Sequence, residues 1–199
     1  MQLVINPHEP LKSQPLTPNC WSDFERLFAS PGVQNGCWCM YWRMRRKDFH
    51  QKYGEPNRRA FKEIVDSGRI PGILLYRESR PVGWCSIAPR IEFESLERSV
   101  TLKRVDDRPV WSIVCFFIAR DCRGDHLSTS LIEAAIDYAK KLGASIIEAY
   151  PLIPENTVEI EPERYTGLLS TYLKSGFVEV ARRSKRRAIV RYYAQVSSD

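Results

Sequence analysis

The 199-residue sequence has no uninterrupted apolar run near the roughly 20 residues that a membrane-spanning helix needs. Its first ten residues, Met1 to Pro10, also lack a basic stretch followed by an apolar one. The reading is therefore a cytoplasmic chain with no membrane partner. Metal-ligand spacing is equally scarce. Histidine occurs only 3 times, and neither His8 nor His50 has a partner at ligand spacing. Cys37-x-Cys39 has no nearby Cys-x-x-Cys or His pair to complete four ligands, so no metal is expected. The 6 cysteines give no disulfide framework, because several sit inside apolar runs such as Val114-Cys115-Phe116-Phe117, where free thiols are buried. Neither Gly-x-Gly-x-x-Gly nor a P-loop occurs, which argues against a dinucleotide and against nucleotide triphosphate hydrolysis. There is no internal repeat and no dividing linker. A single domain over residues 1–199 is expected, with 1–18 an extended, proline-rich lead-in.

Hydrophobic residues at 43% and charged residues at 27% are ordinary globular values. The balance of 30 Lys+Arg against 24 Asp+Glu, net +6, favours an anionic partner. It does not choose among nucleic acid, a membrane surface and a phosphorylated cofactor. The densest basic cluster, Arg182-Arg183-Ser184-Lys185-Arg186-Arg187, lies between two strand patterns. That is the place of a solvated hairpin tip, which counts against nucleic acid.

Periodicity gives the order of elements. A short amphipathic helix is expected over Trp21 to Phe28, ended by Ser30-Pro31-Gly32. The aromatic run Gly36 to Arg43 reads as a strand that opens the sheet, with Trp38, Tyr41 and Trp42 as core or as a substrate wall. A helical pattern through Phe61, Ile64 and Val65 stops at Ser67-Gly68, and Ile73–Tyr76 with Val82–Ala88 reads as a β-hairpin. Residues 90–109 are charged and irregular, a long connection of the kind that binds something. Val110 to Ile118 is the strongest strand, apolar on both faces and so central. Leu127, Leu131, Ala135, Tyr138 and Leu142 then mark a helix that ends at Gly143, and Ala144 to Tyr150 a further strand. A helix near Thr166 to Lys174 and two strands, Val178 to Arg183 and Arg187 to Ala194, complete the chain.

The strand-turn-helix at Ile118 to Ser128 makes an anion site, because unpaired N–H groups and the positive end of the helix dipole converge there. A pyrophosphate suits it, and so does a purely structural βα turn. The order of elements around this turn resembles the GNAT superfamily of acetyl-CoA-dependent N-acetyltransferases, over roughly Ile73 to Tyr193. In that family the central strand is followed by (Gln/Arg)-x-x-Gly-x-(Gly/Ala). Here the six residues are Arg123-Gly124-Asp125-His126-Leu127-Ser128, with His126 at the glycine and Ser128 at the small position. The resemblance implies an α/β fold with a mixed, mostly antiparallel sheet of about six or seven strands, flanked by helices and splayed at its centre. It also implies that these six residues hold acetyl-CoA, and that backbone groups at Phe116 and Ile118 pair with the pantetheine arm.

Leu168 to Phe177 is similar to the family's late helix, in which a tyrosine four residues before a Gly-Phe pair protonates the CoA thiolate; Tyr172 stands there. Some members carry a glutamate early in the central strand as base. Ser112 occupies that place, and Glu148 on the next strand is the substitute candidate, with an ion pair to a neighbouring arginine or a water relay as the alternatives. Acetyl transfer to a small-molecule or peptide amine by direct attack is the expected reaction. A covalent thiol route through Cys115 or Cys122 has no histidine to support it. A non-catalytic acyl-CoA-binding or partner-binding module on the same fold, a basic nucleic-acid-associated protein, and a homodimer all stay open.

Overall fold

The spacing that marks Trp21–Phe28 (α1) as a helix is also what buries it: Trp21, Phe24, Leu27 and Phe28 share one packed face. The computed structural model describes residues 10–29, 36–123, 127–153 and 164–194. Two more helices, Arg46–Gln51 (α2) and Glu55–Asp66 (α3), follow α1. Pro56 in the first turn of α3 is tolerated because N–H groups there have no intrahelical partner. The hairpin Gly72–Arg77 (β2) and Arg80–Pro89 (β3) comes next, then the four-residue helix Glu94–Glu97 (α4).

Trp111–Ile118 (β4), Leu127–Lys141 (α5) and Ile146–Ala149 (β5) form the strand-helix-strand unit. In α5, Leu127, Leu131, Ile132, Ala135, Ile136 and Ala139 are buried, and Lys140 and Lys141 oppose the dipole at its end. Gly143, at φ +84, ends it, and the Ala144 N–H donates back to the Ala139 carbonyl at 3.0 Å. Leu169–Lys174 (α6), Val178–Ala181 (β6) and Ile189–Tyr193 (β7) complete the order.

The sheet has seven strands in the order β1-β2-β3-β4-β5-β7-β6, where β1 is Leu11–Pro15. All neighbours are antiparallel except β4 and β5, which are joined through α5 and run parallel. The large apolar cluster joins α1, α3 and α5 to the sheet. A smaller one packs Trp42, Phe93, Leu96 and Leu102 with Val114, Tyr150 and Ile189. Among the described residues, no helix is long and apolar enough to cross a membrane.

Three expectations are corrected. Gly36–Arg43 is not a strand but a chain of turns, with Trp38 and Cys39 in the left-handed region at φ 45 and 53. Its aromatics are held by packing rather than by a ladder: Trp42 is buried, and half-buried Trp38 stacks on Phe28 with ring centroids 5.6 Å apart. The sheet is opened instead by β1, inside the stretch read as a lead-in; Leu11 to Pro15 pairs along Arg77 to Ile73. Finally, residues 90–109 are not structureless: a 3-10 turn at Arg90–Glu92 and α4 are folded into the smaller cluster.

Candidate functional site

The central strand carries two irregularities that open the sheet. Ser86 pairs with Cys115 and Ile87 with Ile113, so Val114 is an extra residue on β4, a β-bulge of the kind found beside active sites. On its other edge β4 pairs with β5 only through Trp111, Ser112 and Ile113, opposite Ile147, Glu148 and Ala149. Val114 to Ile118 run on past the end of β5. The chain instead turns at Pro151 and forms single bridges from Leu152 to Leu168 and Arg187. A cleft therefore opens along the second half of β4, where backbone N–H and C=O groups on that edge have no β5 partner.

The far wall of the cleft is built by the 3-10 turn Arg164–Thr166 and by α6. Gly167, at φ +75, joins them, and a Cβ there would lie 2.3 Å from the Phe116 ring, so only glycine lets α6 start this close to β4. Tyr172 is fully buried, with its ring centroid 6.3 Å from Phe116 and 5.1 Å from Phe177. Its hydroxyl is enclosed and has no hydrogen-bond partner among the described residues. Burial pushes this phenol well above its ordinary value, so it holds its proton at neutral pH. An enclosed donor with nothing to donate to is suited to a group that arrives with the substrate. The side chains of Phe116 and Ile118 are buried as ordinary core.

Half-buried Tyr41, Cys115 and Tyr165 pack against the cluster that holds Val114, the two tyrosine rings meeting edge-on at 6.0 Å. The Cys39 thiol donates to the Cys115 sulfur at 3.8 Å and accepts the Trp84 indole N–H at 2.9 Å. The hydrogen bond from Cys39, with burial, pushes the Cys115 thiol well up, and burial pushes Cys37 up to about 12. Protonated thiols are poor nucleophiles, which disfavours a covalent cysteine route. Among the described residues, no group of three or more His, Cys, Asp or Glu is placed to hold a metal ion.

Glu148 and Ser112 lie together, at the closed end where β4 and β5 pair, rather than in the cleft. Glu148 is 1% exposed and directly opposite Arg191 of β7. Its Oε1 accepts from Arg90 Nη1 at 2.8 Å and from the Tyr150 hydroxyl at 2.6 Å, and its Oε2 accepts from Arg191 Nε at 2.8 Å. Ser112 Oγ lies 2.9 Å from the Tyr150 hydroxyl. Arg191 reaches on to Asp106, and Arg90 to Glu97, which ties residues 90–109 to the sheet. The Arg191 and Arg108 hydrogen bonds hold Asp106 well below the usual carboxylate range. The geometry places Glu148 in ion pairs with Arg90 and Arg191, with both carboxylate oxygens engaged.

At the other end of the cleft, Arg123 Nε donates to the Ile118 carbonyl at 3.4 Å, next to the start of α5. Leu127 is buried core at the first position of α5 and Ser128 is half-buried. Gly124, Asp125 and His126 lie outside the described residues. The structure thus brings Phe116, Ile118 and Tyr172 together around the cleft, and sets Ser112 and Glu148 apart from it. Sequence reasoning missed Tyr165, Gly167 and the network of Arg90, Tyr150 and Arg191. Only Gly167, a lone glycine ahead of an apolar helix pattern, carries a local signal.

A central strand bulged and splayed from its parallel neighbour, with a helix entering at the end of the cleft, defines an α/β fold with a split, mostly antiparallel sheet. Solved structures agree at the level of the fold. A GNAT-family acetyltransferase from Listeria monocytogenes aligns over 92% of this chain and 95% of its own at 11% identity, TM-score 0.56. The PaiA N-acetyltransferase from Thermoplasma acidophilum, in complex with coenzyme A, aligns over 93% and 99% at 12% identity, TM-score 0.52. An aminoglycoside N(6')acetyltransferase from Legionella pneumophila aligns over 92% and 91% at 14% identity, TM-score 0.52. Curated protein sequences give no match. The sequence profile of the acetyltransferase (GNAT) family matches residues 38–161, and the chain belongs to that family.

Proposed function

We propose that this chain moves an acetyl group from acetyl-CoA to a primary amine by direct attack. The observation that carries the reading is the cleft along Val114 to Ile118, closed on its far side by the enclosed, unpartnered hydroxyl of Tyr172. The residues suit the cosubstrate: the free edge of β4 offers backbone partners to an extended amide-bearing arm, and Arg123 and Ser128 flank the turn proposed to hold the pyrophosphate. Acetyl-CoA supplies the activated thioester. Backbone N–H groups at the bulge polarise its carbonyl, and the Tyr172 hydroxyl gives its proton to the departing sulfur.

The similar structures include, by name, N-acetyltransferases and an aminoglycoside acetyltransferase, which supports an amine as acceptor. Because Glu148 is enclosed by Arg90, Tyr150 and Arg191, the acceptor amine loses its proton through water at the opening rather than to a dedicated carboxylate. In consequence kcat/KM rises with pH toward the amine's own pKa, with no step in the carboxylate range.

The test is Tyr172→Phe. Loss of a general acid costs on the order of a hundredfold in kcat, while coenzyme A binding measured by calorimetry stays within about twofold. Unchanged turnover with a good acceptor would return Tyr172 to packing. Binding of acetyl-CoA with no thioester cleavage in the presence of any amine would make the chain a binding module.

A further inference from the structure

Beside Tyr41 lies a basic cavity that the acetyl-transfer reading leaves unused. It measures about 340 Å³ and is lined by Arg45, Arg46, Arg98, Ser95 and Ser99. Two of its guanidinium groups share one acid: Arg45 Nε and Arg98 Nε both donate to Glu94 Oε1, at 2.9 and 3.1 Å. Asp48 is the next acid within electrostatic range of Arg45. Arg46 has no carboxylate partner among the described residues. Its guanidinium lies 4.2 Å over the Tyr41 ring and 5.8 Å from the Trp42 ring. Stacking uses the face of the group and leaves its in-plane N–H donors available. The buried Trp42 indole N–H beneath it also has no acceptor among the described residues. Three guanidinium groups against Glu94 and Asp48 leave a positive excess, and two serines add neutral donors.

Arg46 links the two places: it lines the cavity and stacks on Tyr41, whose ring meets Tyr165 of the 3-10 turn that walls the cleft. We infer that the cavity binds the anionic group of the acceptor, so that the preferred substrate is an amine that also carries a carboxylate. This rests on the acetyl-transfer reading. The aromatic wall takes the stem of such a molecule, Arg46 and Arg98 take its carboxylate, and its amine lies toward the free edge of β4. A guanidinium-carboxylate contact at this exposed site discriminates a carboxylate from its neutral amide by about threefold, and less in high salt.

The experiment compares matched acceptors on the full chain with acetyl-CoA at low salt: 4-aminobutyrate and 6-aminohexanoate, whose amines lie far from the carboxylate, each against its primary amide, with released CoA thiol as the readout. At least one pair is expected to show a KM lower by about threefold for the carboxylate. In Arg46→Gln and, independently, in Arg98→Gln, that ratio is expected to fall toward one, while Lys47→Gln, beside the cavity, keeps it. Because each ratio is taken within one variant, loss of folded protein cancels. Equal KM values across every pair, or a preference that survives both arginine substitutions, would overturn the inference and leave acetyl transfer standing. Failure to acetylate any of the amines, neutral ones included, would instead sink the acetyl-transfer reading and the acceptor assignment with it.

Discussion

Replacing Glu148 with glutamine separates a buried structural ion from a catalytic base. In the folded chain the carboxylate accepts from Arg90, Tyr150 and Arg191, and the two arginine side chains are 2% and 1% exposed. Removing one partner of a buried ion pair costs about 3–5 kcal/mol, because the remaining charge is left uncompensated. Here Arg90 keeps Glu97 at 2.5 Å and Arg191 keeps Asp106 at 2.7 Å, and glutamine still offers one acceptor oxygen. The lower end, about 3 kcal/mol, is therefore expected. With a urea m-value of about 2 kcal/mol/M the midpoint falls by about 1.5 M. The corresponding drop in Tm is about 6–12 °C for a chain of this size. Equilibrium urea unfolding followed by far-ultraviolet circular dichroism reads the first, and kcat per folded molecule is measured on the same preparation. The expected pair of results is a large loss of stability with kcat within about threefold of the parent. An unchanged midpoint with kcat down a hundredfold or more would refute the structural assignment and put Glu148 in proton transfer.

Two further substitutions probe other parts of the account. Gly167→Ala places a Cβ 2.3 Å from the Phe116 ring at a φ of +75, and a loss on the order of 3 kcal/mol in urea unfolding is expected; a loss below about 0.5 kcal/mol would show that α6 does not need its close approach to β4. Asp106 is held below its ordinary value of 3.8 chiefly by Arg191, so its contribution is present above that pH and is lost as pH falls toward the depressed folded value. Asp106→Asn should therefore flatten the fall in Tm between about pH 4 and about pH 2, and parallel profiles for parent and variant would contradict the pairing.

Most of the helices and the central strand were legible because their apolar periods are long and their ends carry glycine or proline, as α5 shows between Leu127 and Gly143. Two misreadings have one physical origin: local composition reports burial, not the means of burial. Gly36–Arg43 is dense in aromatics and largely packed away from solvent, but through turns in which Trp38 and Cys39, neither of them glycine or asparagine, adopt a left-handed backbone. Leu11–Pro15 is polar and mostly exposed, the composition of an edge strand that only the partner β2 makes visible. Tyr172 was reachable from its place before Gly176-Phe177. The pairing of Glu148 with Arg191 depends on the register of β5 against β7, across 43 residues, and no local pattern carries it. The cavity at Arg46 joins residues 45–46 to residues 95–99 for the same reason.

The most direct test of the central claim is to incubate the purified chain with acetyl-CoA and a panel of primary amines and to follow both products, free CoA by its thiol and the acetylated amine by mass. The account expects the two to appear in equal amounts, and to fall together on the order of a hundredfold in Tyr172→Phe. Acetyl-CoA that binds but stays intact with every amine would contradict it.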